Sequence, residues 1–311
     1  MKSGAPILIT MGEPSGIGPE IALAAFDALG GWVGKHPLKL VGDKDIFAGA
    51  KAALIETGGR VKARPGAPEP ANAASVIEAI TLAAMACLAG EAAAMVTAPI
   101  HKKVLMDAGF AYPGHTEYLG FLTQAPRPVM MLASGKLRVV PLTVHLPLKD
   151  VPSAIDKESI VETAEIVLRA LDHDFALTFP RLAIAGLNPH AGEEGRLGGE
   201  EVATLVPAAE ELRRRGHRVL GPLSADTLFH DEARKNYDAV LTMYHDQGLI
   251  PIKTLSFWDG VNVSLGLPIV RTSPDHGTAF DIAGLGKADP RSMVAAIRMA
   301  GNIADARAKA K

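Results

Sequence analysis

His145, His190 and His245 each come shortly after an apolar run, and this placement suggests metal chemistry. The apolar runs are 142–144, 182–187 and 239–243. Apolar runs of this length predict strands, and open α/β sheets gather ligands at the carboxyl ends of their strands. Three neutral imidazoles can hold a divalent metal and leave a coordination position open. Three ordinary loop histidines are the alternative, because the spacing matches no short metal-binding motif.

Lys253, Asn262 and Arg271 are spaced nine residues apart in a stretch rich in Gly and Pro. If the three side chains converge, they would suit a carboxylate or a phosphate. Otherwise they are solvated loop side chains. His115 and Thr116 form another polar cluster that could bind a phosphate or hydroxyl, although helix capping explains a Thr-Glu pair equally well.

A glycine-rich turn spans residues 12–20, after a short apolar run and before a helix that opens at Pro19. The amino end of a helix can receive an anion. However, its glycines are spaced G-x-x-x-G-x-G, which is neither the dinucleotide fingerprint nor a P-loop. An anion site and a tight turn without further function therefore both remain open.

The elements around these residues predict an α/β fold. Short apolar runs alternate with helical patterns, which favours a mostly parallel sheet. Residues 129–132 and 137–144 predict a hairpin, so the sheet is mixed. The other predicted strands cover 7–9, 38–41, 93–97, 182–185 and 239–243. The predicted helices begin at Pro19, span 73–88, carry apolar stripes at 160–171 and 202–212, and follow Asp289-Pro290.

Composition limits the classes of protein. The 311 residues, with 48% hydrophobic and 21% charged side chains, suit about two globular domains. A net charge of −2 provides no basic field for nucleic acid. The single Cys87 excludes an intrachain disulfide and is expected to pack within a helix. We find no signal peptide and no apolar span of about 18 residues, so a cytoplasmic chain without membrane contact is expected.

Taken together, the motifs resemble the 4-hydroxythreonine-4-phosphate dehydrogenase family over nearly the whole chain. Glu13 stands where many members of that family carry Asp, which keeps the carboxylate. Residues 275–284 also resemble the cofactor loop of isocitrate and isopropylmalate dehydrogenases. The motifs that carry the resemblance are 12–20, 97–102, 114–117, 143–148, 187–193, 221–227, 244–248 and 272–290.

The resemblance implies a fold and an assembly. The fold would be that of isocitrate and isopropylmalate dehydrogenases, with mixed, mostly parallel sheets, flanking helices and two intertwined domains that form a cleft. A cofactor-side domain would comprise 1–128 plus 266–311, and a metal, substrate and dimerisation domain would comprise 129–265. Homodimers are expected, with active sites at the subunit interface and metal ligands drawn from both chains.

The resemblance also implies roles for individual residues. The implied metal ligands are His145, His190 and His245, and the metal is zinc, magnesium or cobalt. The implied substrate-binding residues are His115, Thr116, Lys253, Asn262 and Arg271. The candidates for binding NAD or NADP are Glu13, His276, Gly277, Thr278, Ala279 and Asp281. The resemblance does not identify the proton acceptor, for which Asp246, Asp226 and Lys102 are the candidates.

The activity implied is oxidation of a small phosphorylated hydroxy acid, 4-phosphohydroxy-L-threonine, followed by loss of carbon dioxide. A bound metal would stabilise the developing alkoxide and the later enolate. Within the enzyme class, the alternatives are a dehydrogenase of 4-phosphothreonate or 4-phosphoerythronate, or of an aromatic dihydrodiol. The alternative from another class is a metal-dependent phosphohydrolase or phosphate-binding protein, which would ignore NAD.

Overall fold

The computed structural model describes residues 3–310, which divide into two compact units. Unit 1 comprises residues 3–128 together with Val261–Lys309, and unit 2 comprises Val129–Gly260 and Ala310. The strands in chain order are β1 (Ile7–Thr10), β2 (Trp32–Val33), β3 (His36–Gly42), β4 (Ala53–Glu56), β5 (Ala94–Thr97), β6 (Val129–Ala133), β7 (Arg138–Pro141), β8 (Arg181–Ala185), β9 (Arg218–Leu223), β10 (Ala239–Thr242), β11 (Val261–Leu265) and β12 (Arg271–Pro274).

The helices lie between these strands in the order that α/β alternation predicts. They are α1 (Gly18–Ala28), α2 (Ala73–Leu88), α3 (Lys102–Asp107), α4 (His115–Thr123), α5 (Val151–Ala154), α6 (Lys157–His173), α7 (Val206–Arg214), α8 (Asp231–Arg234), α9 (His245–Leu255) and α10 (Arg291–Ala310). The alternation of strands and helices, together with strand pairs that are mostly parallel, confirms the predicted mixed α/β class.

In unit 1 the strands run in the order β2-β3-β1-β5-β12-β11, and β4 pairs with β3. The pairs β1–β3, β1–β5, β5–β12 and β3–β4 are parallel, whereas β2–β3 and β11–β12 are antiparallel. Every residue of β1 and β5 is buried, as expected for central parallel strands that are covered on both faces. The carboxyl ends of β1, β5 and β12 consequently meet at one edge.

Helix α2 covers part of this sheet. Its 16 residues were expected from composition, and the helix packs against β1, β3 and β5 through a buried face of small and branched residues. Contrary to the expectation above, Pro70–Leu88 is long and apolar enough to cross a membrane by length and composition alone. Because one face of α2 is buried against the sheet, a core helix accounts for this apolar composition as well.

Cys87 lies near the end of α2. Burial raises the pKa of its thiol to about 12, which leaves the thiol protonated and unreactive.

In unit 2 the strands run in the order β6-β7-β10-β8-β9. The antiparallel β6–β7 pair confirms the predicted hairpin, and the other three pairs are parallel. The second strand of the hairpin ends at Pro141, so the predicted extension to residue 144 is wrong. The amides of Leu142 and Thr143 still donate to Thr242 and Met243, so the chain follows β10 towards His145 without continuing the strand.

The predicted stripe of α6 is confirmed, since Ile160, Ala164, Val167, Leu168 and Leu171 are all buried. The stripe predicted at 202–212 is partly wrong. Residues Glu201–Leu205 form a π-helical turn, which rotates Val202 outward to 55% exposure and places Glu201 inside.

Candidate functional site

Three neighbouring parallel strands of unit 2 lead to the three predicted metal ligands. β10 lies between β7 and β8, so their carboxyl ends meet at the same edge of the sheet. His145 follows β7, His190 follows β8, and His245 opens α9 just after β10. Strand order therefore places all three histidines at one edge, as strand-end reasoning predicts.

Two of these imidazoles lie side by side. The ring centroids of His145 and His245 are 6.2 Å apart, with the planes tilted by 37°. Nδ1 of His245 lies 2.7 Å from Oδ1 of Asp246. With Nδ1–H donating to the carboxylate, the tautomer is fixed and Nε2 is left as the nitrogen with a lone pair for a metal.

His190 lies in an unusual turn. It begins a run of five residues in the left-handed region, with φ of 52° at His190 and 51° at Ala191. Buried Glu201 supports the turn by accepting hydrogen bonds from the backbone and side-chain amides of Asn188, at 2.7 and 2.9 Å. Left-handed backbone at consecutive non-glycine residues is strained, and such strain is often found at functional sites.

Within residues 3–310, no three His, Cys, Asp or Glu side chains form a group that could hold a metal ion. The structure therefore pairs His145 with His245 but does not add His190 to them. His190 lies within electrostatic reach of Asp226 instead. The pKa of Asp226 is lowered mainly by the hydrogen bond that it accepts from the Ser224 hydroxyl at 2.6 Å, with a smaller effect from His190.

In unit 1, Arg271 is the central predicted substrate residue. It is only 4% exposed, and its guanidinium donates to the Thr97 hydroxyl from Nε at 3.1 Å and from Nη2 at 2.7 Å. Nη1 donates to the Ser264 hydroxyl at 3.0 Å. Burial lowers the pKa of Arg271 to about 10, while Glu117 acts in the opposite direction. The side chain is still a cation at neutral pH.

His115 lies close to this guanidinium at the start of α4. Burial, and then the positive charges of Arg271 and Lys102, hold the pKa of His115 well below its usual range. Its imidazole is therefore neutral, and its buried Nε2 has no hydrogen-bond partner. The buried Oδ1 of Asn262 likewise has no partner. Buried polar atoms are nearly always paired, so these two atoms indicate a position for a ligand.

The remaining predicted substrate residues are separately placed. Thr116 follows His115 in the first turn of α4. Lys253 lies in the last turn of α9, the helix of unit 2 that His245 opens. The candidate proton acceptor Lys102 begins α3 in unit 1, whereas Asp226 and Asp246 belong to unit 2.

The glycine-rich turn of unit 1 packs against the predicted cofactor loop. Gly12 has a φ of +68°, and a side chain there would meet the Pro99 carbonyl at 2.5 Å. The buried Glu13 accepts a hydrogen bond from the Ser15 amide, and desolvation raises the pKa of Glu13. The Ile17 amide donates to the carbonyl of Thr278 at 3.0 Å. This packing gives the turn a structural role and joins two of the predicted cofactor segments.

The cofactor loop itself offers open positions. Nδ1 of His276 lies 3.0 Å from the Gly277 carbonyl, and its buried Nε2 has no partner. A Cβ added at Gly277 would meet no atom, and Ala279 adopts a left-handed φ of 43°. Asp281 is exposed. A buried imidazole nitrogen without a partner fits a ligand with polar groups, such as a dinucleotide.

Sequence reasoning missed the side chains that support the predicted site. Thr97 and Ser264 hold Arg271, and Asn188 with Glu201 supports the His190 turn. Thr97 had a weak signal, because it closes the predicted strand 93–97 and opens the motif 97–102. Asn188 lies within the motif 187–193, whereas Ser264 and Glu201 have no local signal and are recognised only through their partners in the fold.

Each unit thus combines a mostly parallel sheet with polar side chains gathered at the carboxyl ends of its strands, which is the arrangement of an α/β enzyme for small anionic ligands. Comparison with known proteins gives the family. The family model for pyridoxal phosphate biosynthetic protein PdxA matches residues 35–300. The chain belongs to this family, and it is an oxidoreductase.

Individual relatives agree with this assignment. A 4-hydroxythreonine-4-phosphate dehydrogenase of Roseobacter denitrificans is 50% identical over 96% of this chain and 97% of its own. The crystal structure of the enzyme of the same name from Klebsiella pneumoniae has a TM-score of 0.86 and 37% identity, over 97% of this chain and all of the other. A terephthalate 1,2-cis-dihydrodiol dehydrogenase from Burkholderia xenovorans has a TM-score of 0.69 and 27% identity, over 96% of this chain and 98% of the other.

Proposed function

We propose that this enzyme oxidises 4-phosphohydroxy-L-threonine with NAD or NADP and a divalent metal. The product, 2-amino-3-oxo-4-(phosphohydroxy)butanoate, is a β-keto acid that loses carbon dioxide to give 3-amino-2-oxopropyl phosphate. The observation that carries the proposal is the buried cation of Arg271, held by hydroxyl groups beside the unpaired nitrogen of His115. Such a cation suits a substrate with anionic oxygens.

Arg271, His115, Thr116 and Asn262 are proposed to bind and orient the substrate, and Lys253 is a further proposed substrate-binding residue. The neutral His115 offers a hydrogen bond without adding charge. Burial of Arg271 strengthens the polar contacts that its guanidinium makes.

His145 and His245 fit a divalent metal, because the two rings are adjacent and Asp246 fixes the tautomer of His245. When bound, the metal supplies Lewis acidity and the nicotinamide supplies the hydride acceptor. Because one chain brings only two of the three histidines together, we propose that His190 of a second copy completes the site in a homodimer.

The proton of the substrate hydroxyl needs an acceptor among the residues of the chain. Asp226 is ionised at neutral pH, since the Ser224 hydroxyl stabilises its carboxylate. Asp246 and Lys102 are the other two candidates. Glu13, His276, Gly277, Thr278, Ala279 and Asp281 are proposed to bind the cofactor, and the cytoplasm, which maintains pools of both nucleotides, is the proposed compartment.

A substrate panel tests this function. Reduced nicotinamide is followed by absorbance with 4-phosphohydroxy-L-threonine, 4-phosphothreonate, 4-phosphoerythronate and a terephthalate dihydrodiol. Each substrate is tested with NAD and NADP, with zinc, magnesium or cobalt, and after chelation. We expect the phosphohydroxythreonine to give the highest kcat/KM and chelation to abolish turnover. If inorganic phosphate is released without any reduced nicotinamide, the enzyme is a phosphohydrolase and the proposal is wrong.

The dihydrodiol is the second candidate substrate, because a dihydrodiol dehydrogenase shares this fold over nearly its whole length. A dihydrodiol turned over faster than the phosphorylated acids would establish that alternative. The Arg271→Lys variant tests the anion site for either candidate. It keeps the charge but loses the coplanar N–H groups that can donate together to one phosphate or carboxylate, so it should raise the KM of the substrate.

A further inference from the structure

Arg271 is held in a way that leaves part of its guanidinium free. Arginine has five N–H groups, and three of them donate to Thr97 and Ser264, so two remain. The remaining pair comprises one N–H on each terminal nitrogen. Among residues 3–310, no carboxylate forms an ion pair with Arg271. A buried guanidinium is normally neutralised by a carboxylate, and here two uncharged hydroxyls take that position.

The strand register explains why both hydroxyls reach Arg271. Val263 pairs with Thr272 in the antiparallel β11–β12 ladder, so Ser264 is the next residue opposite Arg271. Arg271 pairs with Met95 in the parallel β5–β12 ladder, so Thr97, two residues further on, lies on the same face of the sheet. The guanidinium therefore extends towards the carboxyl edge and is held from both neighbouring strands.

We propose that Thr97 and Ser264 are positioning residues that orient the guanidinium of Arg271 to donate its two remaining N–H groups to an anionic group of the substrate. The Thr97 hydroxyl accepts from both Nε and Nη2, and the Ser264 hydroxyl accepts from Nη1, so the plane of the fork is fixed on both sides. Hydroxyls leave the positive charge of Arg271 for the ligand, whereas a carboxylate in their place would neutralise it. The identity of the substrate rests on the proposed function, but the role of Thr97 does not.

Variants at Thr97 test this proposal. Thr97 is fully buried in β5, and Val has the same shape and a high strand preference, so Thr97→Val should fold. Thr97→Ser keeps the hydroxyl and is the matched control. Binding is measured by calorimetry with inorganic phosphate and, separately, with L-threonine, which has a carboxylate but no phosphate. Unfolding temperatures of all variants confirm that the native fold is retained.

We expect Thr97→Val to weaken binding of one probe by about 10-fold or more, because hydrogen bonds from a charged group have lost their fixed geometry. The affected probe identifies which anionic group Arg271 receives. Thr97→Ser should bind within about threefold of wild type, and Ser264→Ala should resemble Thr97→Val. In turnover, Thr97→Val should raise the KM by a similar factor and change kcat much less, whereas a merely structural defect would lower the active fraction.

Wild-type affinity for both probes in Thr97→Val would overturn the proposal, as would a wild-type enzyme that binds neither probe. Failure of the proposed function gives a different result. If phosphate binding depends on the Thr97 hydroxyl but no substrate of the panel reduces NAD or NADP, the positioning role stands and the proposed dehydrogenase activity is wrong.

Discussion

His115 shows how a single buried side chain links the site to the pH dependence of stability. It is neutral in the folded protein because burial and the nearby cations of Arg271 and Lys102 lower its pKa well below the usual range. In the unfolded chain it gains a proton below its ordinary pKa of about 6.5. Below that pH the unfolded state binds more protons, so stability falls as the pH falls.

The prediction concerns the His115→Gln variant, which removes this titration but keeps a neutral polar side chain. Between pH 7.5 and 5.5 the free energy of unfolding of wild type should decrease by about 1 kcal/mol more than that of His115→Gln. Urea unfolding at each pH measures the difference. His230→Gln, at an exposed position, is the control and should follow wild type. Parallel curves for wild type and His115→Gln would contradict the neutral, buried imidazole.

At the scale of elements, the packing of α6 and of the π-helical turn predicts a large loss of stability in one element and almost none in the other for the same substitution. Val167 is fully buried on α6, whereas Val202 is 55% exposed in Glu201–Leu205. Val167→Ala should lower the free energy of unfolding by about 2 kcal/mol, because two methyl groups leave a packed core. Val202→Ala should change it by less than about 0.5 kcal/mol. Denaturant titration of both variants tests the burial pattern, and equal losses would mean that the helical stripe does include Val202.

The elements also show what the sequence could and could not predict. Apolar runs and helical stripes located β1, β5, α2 and α6, because each pattern is repeated within its own element. Strand ends predicted the sheet edge at which the three histidines lie, but not which of them come together. The partner of Arg271 could not be predicted, since Thr97 is 174 residues away and comes close only when the sheet forms. The left-handed turn at His190 could not be predicted either, because its support by Glu201 depends on a π-helical turn.

At the scale of the whole molecule, the three histidines pose a question of assembly. One chain pairs His145 with His245, and no group of three metal-binding side chains forms within residues 3–310. If a second copy supplies His190, each site of a symmetric dimer contains residues of both chains. His145→Ala and His190→Ala should then each be inactive, because every site in either homodimer lacks one ligand.

Mixing these two variants distinguishes a shared site from a site within one chain. In the mixed dimer, one site combines the intact His190 of the His145→Ala chain with the intact His145 and His245 of the other chain. That site has all its ligands. Random exchange of subunits makes about half of the dimers mixed, and each mixed dimer has one complete site out of two. The mixture should therefore recover about a quarter of wild-type activity per chain. Activity is measured after the two variants are unfolded and refolded together, with each variant refolded alone as the control. If all three ligands come from one chain, every site in the mixture stays incomplete, and the absence of any recovery would reject the shared metal site.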